Sequence, residues 1–308
     1  MMFLVYSRIP QGQCASIAGT VFVENPLLSS TIFANAHIVG RRVLIPILPR
    51  WAVLFRGVKT FGRVVSFCRN GCAVLGRVGV YPEVLTTPCG QSAGGGDGDF
   101  KFFFPQWARV FVTVEEHAGS WLYATEFQDA CGDVIHKVCL TSESDLEAFR
   151  WWVELNQASN PSASFLRDMR SPWRVEGPAA LCKGDARFLS GDDLRMLFRG
   201  MIETEVSVRI SVGNEGLVQA ARVRPNRLKE EGACVYLGDD ESGLQLRVDR
   251  LAEVSLHCSL SSSNWILKAY DAEGFPACTV EPACGESSEG WERLLRDSIR
   301  SFSKQPEE

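Results

Sequence analysis

The sequence predicts an α+β chain made of two tandem structural repeats, and three observations carry that prediction. A turn of Asp129-Ala130-Cys131-Gly132 recurs as Asp271-Ala272-Glu273-Gly274, and the same spacing carries Val138 onto Val280 and Phe149 onto Trp291. Residues suited to strands flank each turn. A stretch of capping residues followed by an amphipathic segment then comes after each pair of strands.

The elements follow from local chemistry. Asp-Ala-x-Gly supplies a side chain that bonds its own backbone and a glycine for the tight bend, so each copy reads as a β-hairpin. Before the first turn Trp121, Tyr123, Thr125 and Phe127 alternate with other residues, and after it Val134, His136, Val138 and Leu140 do the same. Such alternation places one set of side chains on each face of a sheet. Thr141 to Asp145 then offers helix caps, and Leu146, Phe149, Trp152 and Val153 form the apolar stripe of a helix. In the second copy Ser287-Ser288-Glu289 precedes Trp291, Leu294, Leu295 and Ile299 in the same way.

The organisation predicted is an unplaced segment over residues 1–40, a first repeat over 41–160, a linker over 161–178 and a second repeat over 179–303. The linker is expected there because Asn156 to Pro178 carries Asn, Ser, Pro and Gly, the composition of a connector. Gly94-Gly95-Gly96-Asp97-Gly98 reads as a loop between strands of the first repeat, and Lys304 to Glu308 as a frayed end.

Composition excludes several classes of function. A net charge of −5 and a pI near 5.6 leave no general basic face for nucleic acid. The eleven cysteines form no C-x-x-C pair, which argues against zinc-ribbon and thioredoxin-type sites and suits reduced thiols in a cytoplasm. The apolar opening Met1 to Tyr6 is too short for a secretory core, and Arg41, Arg42, Pro46, Pro49 and Arg50 interrupt the run from Val39 to Phe55, so no membrane span is expected. Gly94-Gly95-Gly96 lacks the Lys-Ser/Thr and helix of a phosphate loop, and no nucleophile constellation stands out.

Several ordered blocks resemble the haem-utilisation family that includes HemS, ChuS and ChuX. They are Phe61 to Asn70 with Gly79-Val80-Tyr81, then Asp99 to Phe103 with Gln106-Trp107, and above all the hairpin Phe127 to Leu140. Val212 to Gly216, Leu244 to Asp249 and Tyr270 to Gly274 resemble the family's second repeat. The resemblance implies two similar halves, each a large antiparallel sheet flanked by helices, with haem held in a cleft. It also implies cytoplasmic haem handling, as a carrier that passes haem to another protein or as an enzyme that opens the macrocycle.

Haem iron needs an axial ligand, usually imidazole, and the propionates need cations or hydrogen-bond donors. The resemblance implies that the family's ligand histidines fall here on Leu75, Ala221 and Gln245, and its distal arginine on Lys101. The cofactor-binding candidates implied are therefore Gln245 and Lys101, together with Arg247, which alternation puts on the face of Gln245, and His136 of the best-matching hairpin. No catalytic residue or metal site is assigned. Each candidate also has a plain structural explanation: Lys101 and Arg247 as solvated strand residues, His136 as a residue of the hairpin's packing. Phe102-Phe103-Phe104 and Trp107 would line a cleft or fill a core.

Two functions stay open at this point. The chain is a haem or tetrapyrrole utilisation or trafficking protein with an altered ligand site, handing its ligand to an accepting protein, or the fold serves as a non-catalytic structural or interaction module without haem. A homodimer is compatible with both.

Overall fold

The computed structural model describes residues 37–39, 42–86, 91–94, 99–117, 120–158, 186–258, 265–285 and 288–298. The 161–178 linker, the first 36 residues, most of the glycine-rich run and the Lys304 to Glu308 end lie outside the described residues. The first half contains β1 (His37–Val39), β2 (Arg42–Ile47), α1 (Trp51–Val58), β3 (Gly62–Arg69), β4 (Ala73–Val80), β5 (Val84–Thr86), β6 (Gln91–Gly94) and β7 (Phe100–Phe103). It continues through β8 (Arg109–His117), β9 (Ser120–Gln128), β10 (Val134–Ser144) and α2 (Leu146–Asn156). The second half repeats the plan with β11 (Ala186–Phe188), α3 (Gly191–Glu203), β12 (Val208–Gly213), β13 (Leu217–Val223), β14 (Arg227–Glu231), β15 (Cys234–Gly238) and β16 (Ser242–Arg247). It closes with β17 (Leu251–Cys258), β18 (Trp265–Asp271), β19 (Pro276–Pro282) and α4 (Ser288–Ser298).

The strands build two antiparallel sheets that exchange a meander. One sheet runs β1-β2-β8-β9-β10-β3-β4-β16-β15-β14, the other β11-β17-β18-β19-β12-β13-β7-β6-β5. Thus β5 to β7 of the first half extend the second half's sheet, and β14 to β16 do the reverse. At the seams Gln245 pairs with Val74 and Lys101 with Val218, equivalent junctions in the two repeats.

The predicted hairpins are β9–β10 and β18–β19. Asp129 Oδ1 accepts from Asp133 N at 2.8 Å, and Asp271 Oδ1 from Phe275 N at 2.9 Å, so the repeated Asp closes the repeated turn. Gly132 and Gly274 take φ of 88° and 80°, the left-handed region in which a Cβ is strained. Asp145 caps α2 by accepting from Ala148 N at 2.9 Å, as the run of capping residues led one to expect.

The core lies between the sheets and under the helices. Phe55 of α1 sits 5.0 to 5.7 Å by ring centroid from Tyr81, Phe102, Phe104, Trp107 and Phe127, so the aromatic run after residue 99 fills a core. Phe61 meets Phe149 and Trp152 edge-on, and Trp152 Nε1 donates to Leu54 O at 3.0 Å, seating α2 on α1. Full burial of each such side chain contributes about 1.5–3 kcal/mol. The outer face of the first sheet holds a smaller apolar cluster, including Val65, Leu122 and Cys139, beside a buried ion network. There Lys137 Nζ lies 3.0 Å from Glu126 Oε1, and Arg42 pairs with Glu115 at 2.8 Å and with Glu126. No described helix is long and apolar enough to cross a membrane.

Candidate functional site

The two halves meet through a reciprocal clasp made by two asparagines at equivalent turns. Asn70 joins β3 to β4, and its Oδ1 accepts from the amides of Cys72 and Ala73 at 3.0 and 2.8 Å. Its Nδ2 crosses to the other half, donating to Gly213 O at 2.9 Å and Ala277 O at 2.7 Å. Asn214, between β12 and β13, mirrors it: Oδ1 accepts from Gly216 N and Leu217 N at 3.0 and 2.9 Å, while Nδ2 donates to Arg69 O and Ile135 O at 2.9 and 2.7 Å. A backbone pair repeats the symmetry, Phe103 N to Gly216 O at 2.9 Å and Arg247 N to Cys72 O at 2.8 Å.

A cavity of about 600 Å³ opens at this junction, within the range of small-molecule sites. Both asparagine turns and both Asp-hairpin turns border it, and β16 with its following turn adds Gln245, Arg247 and Arg250 from one side only.

Of the four candidates, the structure brings Gln245 and Arg247 to this cavity. Gln245 is 7 % exposed, and its carboxamide makes no hydrogen bond among the described residues. Arg247 turns back on Asp249 in a bidentate pair at 2.9 and 2.8 Å. Lys101 is exposed on β7 and does not line the cavity. His136 is fully buried on the core face of β10, where Tyr81 Oη lies 2.8 Å from Nε2 and Nδ1 lies 2.8 Å from Phe67 O. A carbonyl can only accept, so Nδ1 carries the proton and Tyr81 donates to Nε2. Burial pushes the His136 imidazole down to about 3 and the Tyr81 hydroxyl well above its ordinary value, so both stay neutral.

Sequence reasoning missed three groups at the site. Arg69 lines the cavity, and its guanidinium makes no hydrogen bond or ion pair among the described residues. Arg250 lines it too, with Nη1 donating to Gly71 O at 3.0 Å. The asparagine clasp was the third; Asn70 and Asn214 sit in quoted blocks, and their occurrence at matching turns was the available signal.

A haem can be fitted against this donor set. Arg69 and Arg250 suit propionates. Among the described residues that line the cavity there is no histidine, so these residues offer the iron no comparable partner. The two lining thiols are poor substitutes: burial raises Cys72 and pushes Cys278 up to about 12, so both remain protonated near neutrality. Among the described residues no cluster of three or more His, Cys, Asp and Glu could hold a metal ion. The residues present fit a carboxylated macrocycle and do not fit its iron.

Residues 34–155 match the family model described as the haemin-degrading HemS.ChuX domain. Among curated proteins the chain is similar to the hemin transport protein HmuS of Yersinia pestis, 29% identical over 150 residues that make up 47% of this chain and 43% of that protein. It is also similar to the hemin transport protein HemS of Yersinia enterocolitica, 30% identical over 97 residues, 31% of this chain and 28% of that one. The matched stretches thus span less than half of each of these relatives. Among solved structures, holo-PhuS, a heme-binding protein from Pseudomonas aeruginosa, superposes with a TM-score of 0.72 at 23% identity, covering 83% of this chain and 87% of that one. ChuS, an E. coli heme oxygenase, superposes with a TM-score of 0.68 at 16% identity, covering 83% and 89%. At these identities the superpositions establish the fold, two sheet-rich repeats in an α+β chain.

Proposed function

Since this chain belongs to the HemS/ChuX family of haem-utilisation proteins, we propose that it carries haem or a related tetrapyrrole in the cytoplasm through a cavity with an altered ligand set. The observation that carries the reading is Gln245, whose carboxamide has no partner among the described residues, together with Arg69 and Arg250 on the wall of the junction cavity. A carrier rather than an enzyme fits this set, because oxidative opening of haem needs a ligated iron and the described lining residues offer it no imidazole or thiolate. The implied partner is a protein that accepts the tetrapyrrole. The test is a titration of the full chain with hemin and, separately, with protoporphyrin IX. One-site saturable binding of either is expected, and binding of neither at micromolar protein would overturn the proposal.

One observation favours the second reading, a non-catalytic interaction module. On α2, Trp151 and Leu155 are 61 % and 73 % exposed, one helical turn apart, whereas the repeat spacing puts Arg293 and Asp297 at the equivalent places of α4. This reading expects a change of oligomeric state in sedimentation on Trp151→Glu and no tetrapyrrole binding. An unchanged state with binding retained removes it.

A further inference from the structure

The disagreement between the cavity and iron points to the chemistry it does recognise. We infer that the site is built for a metal-free tetrapyrrole bearing propionate carboxylates, selected through its pyrrolic N–H groups and acid groups. This rests on the reading of the cavity as a tetrapyrrole site and goes beyond it by naming the form of the ligand.

The free groups of the cavity define the match. Gln245 is 7 % exposed, lies between Val74 of β4 and Tyr236 of β15, and keeps both its carboxamide oxygen and nitrogen unpartnered among the described residues. With no protein partner among those residues, the carboxamide faces the open cavity, so a ligand that pairs with it takes the place of water there. Its oxygen can accept from a pyrrolic N–H, a donor that haem lacks. An open-chain tetrapyrrole turns that N–H outward, whereas a flat metal-free macrocycle points it in plane at the ring centre, so the open-chain form meets the carboxamide best. Metal insertion replaces those protons with the ion. An amide is, moreover, a weak axial donor beside imidazole, and the neutral thiols of Cys72 and Cys278 do not replace it.

The acid groups have their own partners. Arg69 brings a guanidinium with no ion pair or hydrogen bond among the described residues, and Arg250 spends only Nη1, on Gly71 O. Arg247 is occupied by Asp249 and supplies wall rather than charge. Asp129, Asp133, Glu215, Asp271 and Glu273 also line the cavity, all on the turns that border it, and the carboxylates of Asp129 and Asp271 accept from turn amides.

The experiment uses the full-length chain, with dissociation constants from tryptophan fluorescence quenching and absorbance for hemin, protoporphyrin IX and biliverdin. At least one metal-free ligand is expected to bind no more weakly than hemin, the cyclic and open-chain arms showing which shape fits. Gln245→Leu should weaken the metal-free ligand about threefold to tenfold, one lost hydrogen bond, and Arg69→Ala about tenfold. Gln245→His should reverse the preference, tightening hemin at least tenfold with the Soret shift of imidazole ligation. Hemin binding more tightly than both metal-free ligands in the unaltered chain overturns the inference while leaving the proposed function standing. Binding of none of the three removes both.

Discussion

Replacing Asn214 by aspartate separates the two roles that its side chain plays. The oxygen closes a turn by accepting from Gly216 N and Leu217 N, and the nitrogen ties the halves together through Arg69 O and Ile135 O. Alanine removes these four hydrogen bonds and a weaker fifth, from Nδ2 to Cys68 Sγ at 3.6 Å. At about 0.5–1.5 kcal/mol net for each, and with some relief because the neighbouring cavity admits water, Asn214→Ala should cost about 3 kcal/mol. Aspartate keeps the turn-closing oxygen but sets a second oxygen, a charged one, against two carbonyl oxygens. Asn214→Asp is therefore expected to destabilise at least as much as the alanine variant. Urea unfolding followed by circular dichroism gives both values. An aspartate variant within about 0.5 kcal/mol of the parent would mean that only the turn matters, and the clasp between the halves would be refuted.

Other consequences follow from single buried groups. His136 stays neutral down to about 3 when folded but takes up a proton near its ordinary value of 6.5 when unfolded. Between these values the unfolded state binds more protons, so stability rises with pH by about 1.4 kcal/mol per unit. His136→Gln should remove that increment from the slope of unfolding free energy against pH, and an unchanged slope would contradict the assignment. Gly57→Ala, which on an open helix stabilises by about 0.5–1 kcal/mol, should instead destabilise, because a Cβ there lies 2.1 Å from Trp152 Cδ1. Thermal unfolding reads the sign. For Glu126, burial alone would raise the carboxyl, and the charges of Lys137 and Arg42 outweigh it and hold it below the usual range. Lys137→Met should cost about 2–4 kcal/mol by leaving Glu126 with Arg42 alone, with the loss shrinking as acid protonates Glu126. Chemical denaturation across pH checks this.

What the sequence disclosed was local. Asp129 and Asp271 announce their turns because the same side chain makes the same bond in each copy, and alternation was enough to put Gln245 and Arg247 on one face. The strand exchange was not legible: β7 pairs with β13 and β16 with β4 because the two halves share a seam, and nothing in Phe100–Phe103 or Ser242–Arg247 distinguishes a partner in its own half from one in the other. The cavity lies on that seam, so its full lining was hidden with it. Arg69 follows Cys68 on a buried strand and reads from sequence as one more family-block residue, and only the meeting of four turns puts its guanidinium, without a partner among the described residues, on the cavity wall with Gln245. His136 shows the converse, since the hairpin that resembles the family best carries its imidazole into the core, bound to Tyr81 and Phe67.

The central claim, that the junction cavity takes a carboxylated tetrapyrrole, is tested most directly by ligand-linked stability. A ligand at one hundred times its dissociation constant stabilises the folded chain by about 2.7 kcal/mol. The full-length protein with protoporphyrin IX should show that gain in urea unfolding, with a clearly smaller gain at the same ligand concentration for Arg69→Ala. An equal gain in Arg69→Ala, or no gain from any tetrapyrrole in the parent chain, would contradict the account.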